Sequence, residues 1–150
     1  MIIEKPDPGE ADELTRVAIA AKKHWGYPDE WIELWQDELT YTPEIISSSD
    51  IYVGRNEGEV VFVYSVQRLS GKEYDLGGCW IAPKYIGKGY GRILFEHLQT
   101  TLESLGCTKL IIVSDPHAEG FYLKMGAVRV GEQPSKPEGR VLPVLEYEIK

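Results

Sequence analysis

Apolar positions along the chain alternate between helical spacing and unbroken or strand-like runs. Residues 2–5 read as a short strand ended by Pro6 and Pro8, which cannot donate to a sheet ladder. From Glu10 onward, Leu14, Val17, Ala18 and Ala21 return at helical spacing and predict a first helix stopping near Gly26. Pro28-Asp29-Glu30 opens a second, with Trp31, Leu34, Trp35 and Leu39 on or near one face, and Thr42-Pro43 begins a further turn or short helical piece. Strands follow at 51–54 and 60–66, flanking the hairpin-like turn Arg55-Asn56-Glu57-Gly58. Residues 73–81 read as another strand, with Gly77-Gly78 in its middle marking a bulge or a place where a ligand approaches the backbone. A third helix runs from about Gly89 to Leu105, with Gly106 as its stop. The continuous apolar run 109–113 predicts a central strand. Asp115-Pro116 starts a short helix ending at Gly126, and 127–131 and 141–149 are closing strands. This order of elements predicts an α+β or mixed α/β domain, not a regular βαβ repeat.

Composition narrows the class. At 150 residues, without repeats, low-complexity tracts or a dividing linker, the chain is expected to form one domain, 1–150. Hydrophobic residues at 43% and charged residues at 27% are ordinary for a soluble protein. The N-terminus lacks the basic flank and apolar run of a signal peptide, and no apolar stretch approaches membrane-spanning length. Cys79 and Cys107 fit no metal spacing and no disulfide framework. These features predict a cytoplasmic protein with no metal and no membrane partner. A net charge of −8 argues against a nucleic-acid partner and permits a cationic small substrate such as an amine.

The chemistry concentrates in residues 79–92, where a strand, a proline turn and a glycine-rich loop lead into a helix. Gly87, Gly89 and Gly91 alternate just before the apolar-periodic segment Ile93, Leu94, Leu98, Leu102 and Leu105. Without side chains in the way, backbone N–H groups can converge on one anion, helped by the positive end of the helix. A P-loop would need Lys-Ser or Lys-Thr after its last glycine, whereas Arg92-Ile93 follows here. A dinucleotide fingerprint is a closer rival, since Asp115 ends the next strand. The spacing is GxGxG instead of GxGxxG, however, and the preceding sheet reads as antiparallel.

The run Ile86-Gly87-Lys88-Gly89-Tyr90-Gly91 resembles the acyl-CoA pyrophosphate loop of the GNAT superfamily of N-acetyltransferases, whose pattern is Gln/Arg-x-x-Gly-x-Gly/Ala. Residues 115–127, Asp115-Pro116-His117-Ala118-Glu119-Gly120-Phe121-Tyr122-Leu123-Lys124-Met125-Gly126-Ala127, are similar to a second element, Asn-x-x-Ala-x-x-Phe-Tyr-x-x-Leu-Gly-Phe. The two occur in the family's order, separated by a helix and a strand. Two positions depart from it: Ile86 stands where the family has Gln or Arg, and Asp115 replaces Asn, serving here as a helix N-cap.

The resemblance implies a mixed, mostly antiparallel central sheet of about six to seven strands flanked by about four helices. It implies acetyl transfer from acetyl-CoA directly to a primary amine of a small molecule or peptide, with no metal. Coenzyme binding falls to the backbone of Cys79 and Ile81, and to Gly87, Lys88, Gly89, Tyr90, Gly91 and Arg92. Tyr122 matches the tyrosine that protonates the departing thiolate. Asp75 falls where histone-type members carry a catalytic Glu, with Glu73 as alternate base. His117 reads as an exposed polar residue. Trp25, Tyr27, Trp31 and Trp35 would form an aromatic cage for the acceptor amine, with cement between helices and sheet as the alternative for Trp31 and Trp35. Arg140 would bind an acceptor carboxylate or stabilise its turn. A homodimer is a further implication. The alternative reading keeps the fold as a catalytically silent CoA-binding sensor or interaction module.

Overall fold

The structure, a computed structural model, describes residues 1–149. Its strands form a sheet of order β1-β2-β3-β4-β5-β7-β6. The chain resolves into two compact units: residues 1–66 with 77–94, and residues 67–76 with the chain from Phe95 onward. Strands β3 (Glu59–Ser70) and β4 (Glu73–Ile81) contribute to both.

In the first unit, β1 (Ile2–Glu4) and β2 (Asp50–Asn56) run antiparallel, and β2 runs antiparallel to β3 around the turn Glu57-Gly58. Helix α1 (Ala11–Lys23) buries Leu14, Ala18, Ala21 and Lys22, one stripe at helical spacing. The predicted second helix is broken at the buried Trp35 into α2 (Asp29–Leu34) and α3 (Gln36–Leu39), and Leu34, expected on or near the buried face, is 48% exposed. Helix α4 (Pro43–Ser48) is capped by Thr42, whose side chain accepts from the Ile45 N–H. These helices bury Leu14, Ala18, Ile32, Trp35, Leu39 and Ile46 in one core with Ile51, Val53 and Val63 of the sheet. At the unit's edge Arg55 pairs with Glu4 and Glu10, both at 2.7 Å, and its hydrogen bond holds the Glu10 carboxyl below the usual range.

In the second unit, β5 (Lys109–Val113) lies between β4, to which it is parallel over Glu73–Leu76, and β7 (Val141–Glu148), to which it is antiparallel. This interior place agrees with its unbroken apolar run. Strand β6 (Val128–Pro134) pairs only with β7 and is exposed along its length. Helix α5 (Tyr90–Ser104) spans the predicted third helix, and its Phe95 ring packs edge-on against Phe121 and Tyr147.

Several boundaries differ from the sequence reading: β2 runs through Arg55 and Asn56, which that reading places in the turn, β6 runs on to Pro134, and two further differences have a clear physical reason. Strand β3 continues through Gln67–Ser70, all exposed, where polarity hides the strand from hydrophobic patterning. Helix α6 (Glu119–Lys124) starts later than Asp115. The Asp115 carboxylate accepts the His117 N–H at 2.8 Å, and its carbonyl accepts the Ala118 N–H at 2.9 Å. The chain therefore makes an Asx turn before the helix, and Asp115 is not the helix N-cap.

Candidate active site

The glycine loop belongs to the first unit. After β4, the turn Pro83–Tyr85 reverses the chain, anchored by the Ala82 N–H donating to the Val61 carbonyl at 2.9 Å. Gly87 and Gly89 then take φ of 77° and 87°, a conformation that other L residues adopt at a cost. Among the described residues, nothing lies within 4 Å of a methyl group placed on either glycine. The loop is thus a stretch of exposed backbone leading directly into α5, while Gly91 lies inside the helix. Lys88 and Arg92 are exposed beside it. The Tyr90 phenol accepts from Asn56 Nδ2 at 3.3 Å and its ring packs edge-on against Tyr85, which ties the first residue of α5 to the end of β2. Lys84 Nζ pairs with Glu59 at 3.2 Å.

Strand β4 is shaped by side chains that press on its glycines. The Gly78 N–H donates to Ser65 Oγ at 3.0 Å, so a hydroxyl stands in for a backbone acceptor. A methyl group on Gly77 would lie 2.5 Å from that same oxygen. On Gly78 it would meet the Tyr41 hydroxyl at 2.5 Å and Trp80 Nε1 at 2.6 Å. Burial pushes the Tyr41 phenol up to about 12, with the neighbouring Trp80 indole N–H acting in the opposite sense. The Trp80 Nε1 is buried with no hydrogen-bond partner among the described residues. Cys79 and Ile81, the sequence-predicted coenzyme contacts, flank Trp80 and are both half-buried.

The aromatic residues of α1–α3 form one cluster in this unit. Tyr27 stacks on Trp31 at 5.8 Å and meets Trp35 edge-on at 5.0 Å. Their cation is the chain's own: Lys22, 9% exposed, places Nζ 4.7 Å from the Trp35 ring centre, 5.4 Å from Tyr27 and 5.8 Å from Trp80. The sequence offers a signal for it, a lysine one helical turn after Ala18 on the buried stripe of α1. Trp25, 38% exposed, meets His24 edge-on at 5.0 Å.

The second unit holds Tyr122 and Asp75. Tyr122 lies in α6, 5% exposed, with its ring edge-on to Phe121. Asp75 lies on β4 opposite Ile111 of β5, and desolvation raises its carboxyl above the ordinary 3.8. Near the end of β5, the Asp115 carboxylate bonds His117 Nδ1 at 2.9 Å and pairs with Arg140 at 3.5 Å. Arg140, which also donates to Ser135 at 3.2 Å, is committed to holding its own loop. No pattern in the sequence announces this pairing of residues from distant segments. Among the described residues no group of His, Cys, Asp and Glu is placed to hold a metal, and no helix is long and apolar enough to cross a membrane.

A strand, a backbone-lined glycine loop and a helix follow one another here within a mixed seven-stranded sheet. The family model for the Acetyltransferase (GNAT) family matches residues 16–127, and the chain belongs to that family and is an acyltransferase. No curated protein matches it in sequence. Among solved structures, the chain is similar to the PaiA N-acetyltransferase of Thermoplasma acidophilum, in complex with coenzyme A. That similarity has a TM-score of 0.72 and 17% identity, covering 98% of each chain. It is also similar to the ribosomal-protein-S18-alanine N-acetyltransferase of Escherichia coli, with a TM-score of 0.73 and 17% identity over 99% of this chain and 94% of that one. A third, an aminoglycoside 6'-N-acetyltransferase complexed with coenzyme A, has a TM-score of 0.73 and 16% identity over 100% of this chain and 98% of that one. At these identities the structures speak for the fold.

Proposed function

We propose that residues 1–150 act as a single cytoplasmic N-acetyltransferase domain that moves the acetyl group of acetyl-CoA directly to a primary amine. The observation that carries this reading is the glycine loop: φ of 77° and 87° at Gly87 and Gly89, with open space where side chains would stand, at the start of a 15-residue helix. Such a loop presents backbone donors to a diphosphate, and the exposed Lys88 and Arg92 add positive charge beside it. The coenzyme A bound in two of the similar structures supports the same ligand here.

In this reading the loop residues Gly87, Lys88, Gly89, Tyr90, Gly91 and Arg92 hold the diphosphate, and the backbone of Cys79 and Ile81 holds the pantetheine and thioester. The amine nitrogen forms a bond to the acetyl carbon as the carbon–sulfur bond breaks. Tyr122 gives its phenolic proton to the thiolate, and Asp75 takes the proton that the amine loses. The raised Asp75 carboxyl supports a base role, because desolvation makes it a stronger proton acceptor than an ordinary aspartate.

Calorimetric titration with acetyl-CoA, with NAD as control, tests the coenzyme. Binding of acetyl-CoA and silence with NAD is the expected result, followed by amine-dependent release of free CoA. Binding without CoA release over a broad amine panel favours the silent-sensor reading instead. At the residue level, Tyr122→Phe is expected to lower kcat while leaving acetyl-CoA affinity unchanged. A loss of affinity in a folded Tyr122→Phe protein makes Tyr122 a coenzyme contact and not the acid.

A further inference from the structure

The aromatic cluster of the first unit is built as a site for a cation, and that cation is supplied from within. Three rings from three separate segments, Tyr27, Trp35 and Trp80, surround Lys22 Nζ at distances within which a ring face attracts an ammonium. Two of those rings are braced by each other and by Trp31, so the cage keeps its shape without help from a ligand. Lys22 reaches it from the buried stripe of α1 and is only 9% exposed, unusual for a lysine. The third wall, Trp80, is the residue between Cys79 and Ile81 on β4.

We propose that Lys22 is the resident guest of an aromatic cation cage and thereby a specificity-determining residue: it denies the cage to the ammonium groups of acceptors. The acceptor class that follows is a monoamine whose remainder is uncharged. A polycation gains nothing from these rings, because the π faces that would attract its second charge already hold one, and two ammonium groups in one cage repel. The cage as a filled cation site stands on its geometry alone. The step to acceptor choice rests on the acetyl-transfer reading above, through the place of Trp80 beside the thioester-binding positions.

The experiment has two arms. In the first, wild type, Lys22→Ala and Lys22→Met are melted in tetramethylammonium chloride and in sodium chloride of equal concentration. Tetramethylammonium is expected to raise the Tm of Lys22→Ala, whose cage is open, and to leave wild type and Lys22→Met where sodium leaves them. A Lys22→Ala protein that is unfolded in sodium chloride but folds in tetramethylammonium chloride supports the guest reading equally. Equal stabilisation of wild type, or no effect on Lys22→Ala, overturns the guest reading. So does a Lys22→Ala protein that folds in neither salt while Lys22→Met folds in both.

In the second arm, kcat/KM is compared for phenethylamine and spermidine. Wild type is expected to favour phenethylamine, and Lys22→Ala to shift the ratio toward spermidine by about tenfold, equivalent to ~1.4 kcal/mol. An unchanged ratio, or a wild type that prefers spermidine, overturns the specificity role and leaves the cage result intact. If acetyl-CoA binds but neither amine releases CoA, the specificity role is withdrawn and the first arm alone decides the guest reading. If acetyl-CoA does not bind at all, it is the acetyl-transfer reading that fails.

Discussion

Two pairs of glycines on one strand–loop segment are glycines for opposite reasons. Gly77 and Gly78 sit on β4, where a methyl group would stand 2.5 Å from Ser65 Oγ or from the Tyr41 hydroxyl. Gly87 and Gly89 sit in the loop, where φ of 77° and 87° disfavours other residues and nothing among the described residues crowds them. The first pair yields its space to the protein's own side chains. The second pair keeps its backbone open toward solvent, which is what a ligand-binding loop requires. The same residue type therefore serves packing at one place and binding at the other, and substitution should separate the two.

The largest effect is expected at the strand. Gly78→Ala forces the Tyr41 phenol and the Trp80 indole aside and should cost about 3 kcal/mol of stability, read as a lower denaturant midpoint. A midpoint like that of wild type breaks the comparison at its first term. Gly77→Ala sharpens it, since a single atom, Ser65 Oγ, stands in the way. Combined with Ser65→Ala, whose Cβ lies at an ordinary 3.7 Å, Gly77→Ala should cost less than the two single changes summed. Additive costs in that cycle mean that the hydroxyl is not the obstacle.

At the loop the balance reverses. Gly89→Ala strains one residue by about 1–2 kcal/mol, and if the loop cradles a diphosphate it should weaken acetyl-CoA binding by roughly tenfold or more. Calorimetry beside a denaturation curve reads both. A variant that loses stability but binds acetyl-CoA as before assigns the loop's glycines to the fold alone.

The smallest effect concerns Asp75. Its folded carboxyl is raised above 3.8 by desolvation, so the folded state holds this proton more tightly than the unfolded chain does. Its contribution to stability therefore falls as pH rises from the ordinary aspartate value through the folded value, and Asp75→Asn should flatten that segment of the curve. If Asp75 is the base, kcat rises over the same pH window in wild type and not in Asp75→Asn. A pH–rate profile unchanged by the substitution removes the base role.

Much of this is legible along the chain. Strand β4 and strand β5 follow their patterned runs to the residue, and β5 is apolar from Leu110 to Val113, as suits a strand with neighbours on both sides. The glycine loop is visible because positive φ at closely spaced positions leaves few residue types to choose from. The break at Trp35 is not visible, since its helical spacing is intact and the interruption is a change of backbone angles at that one residue, to φ −94° and ψ 8°. The outer half of β3 is hidden for the opposite reason, as its exposed, largely polar residues carry no hydrophobic signal.

The aromatic residues near α1–α3 show where reading along the chain stops. Their number and spacing suggest a cage, but not that Lys22 fills it, because Trp80 completes the wall from a strand far away in sequence. Asp115 and Arg140 likewise find each other only through folding, which commits an arginine that in sequence looks available for a substrate. Local backbone chemistry by itself determined most of the order of elements and the glycine loop, since turns, strand patterns and positive φ depend on neighbours in sequence, and two motifs carried the resemblance to the family. Only the tertiary structure decided which charges are already spoken for and which glycines are crowded, because those depend on atoms that the fold brings together from distant segments.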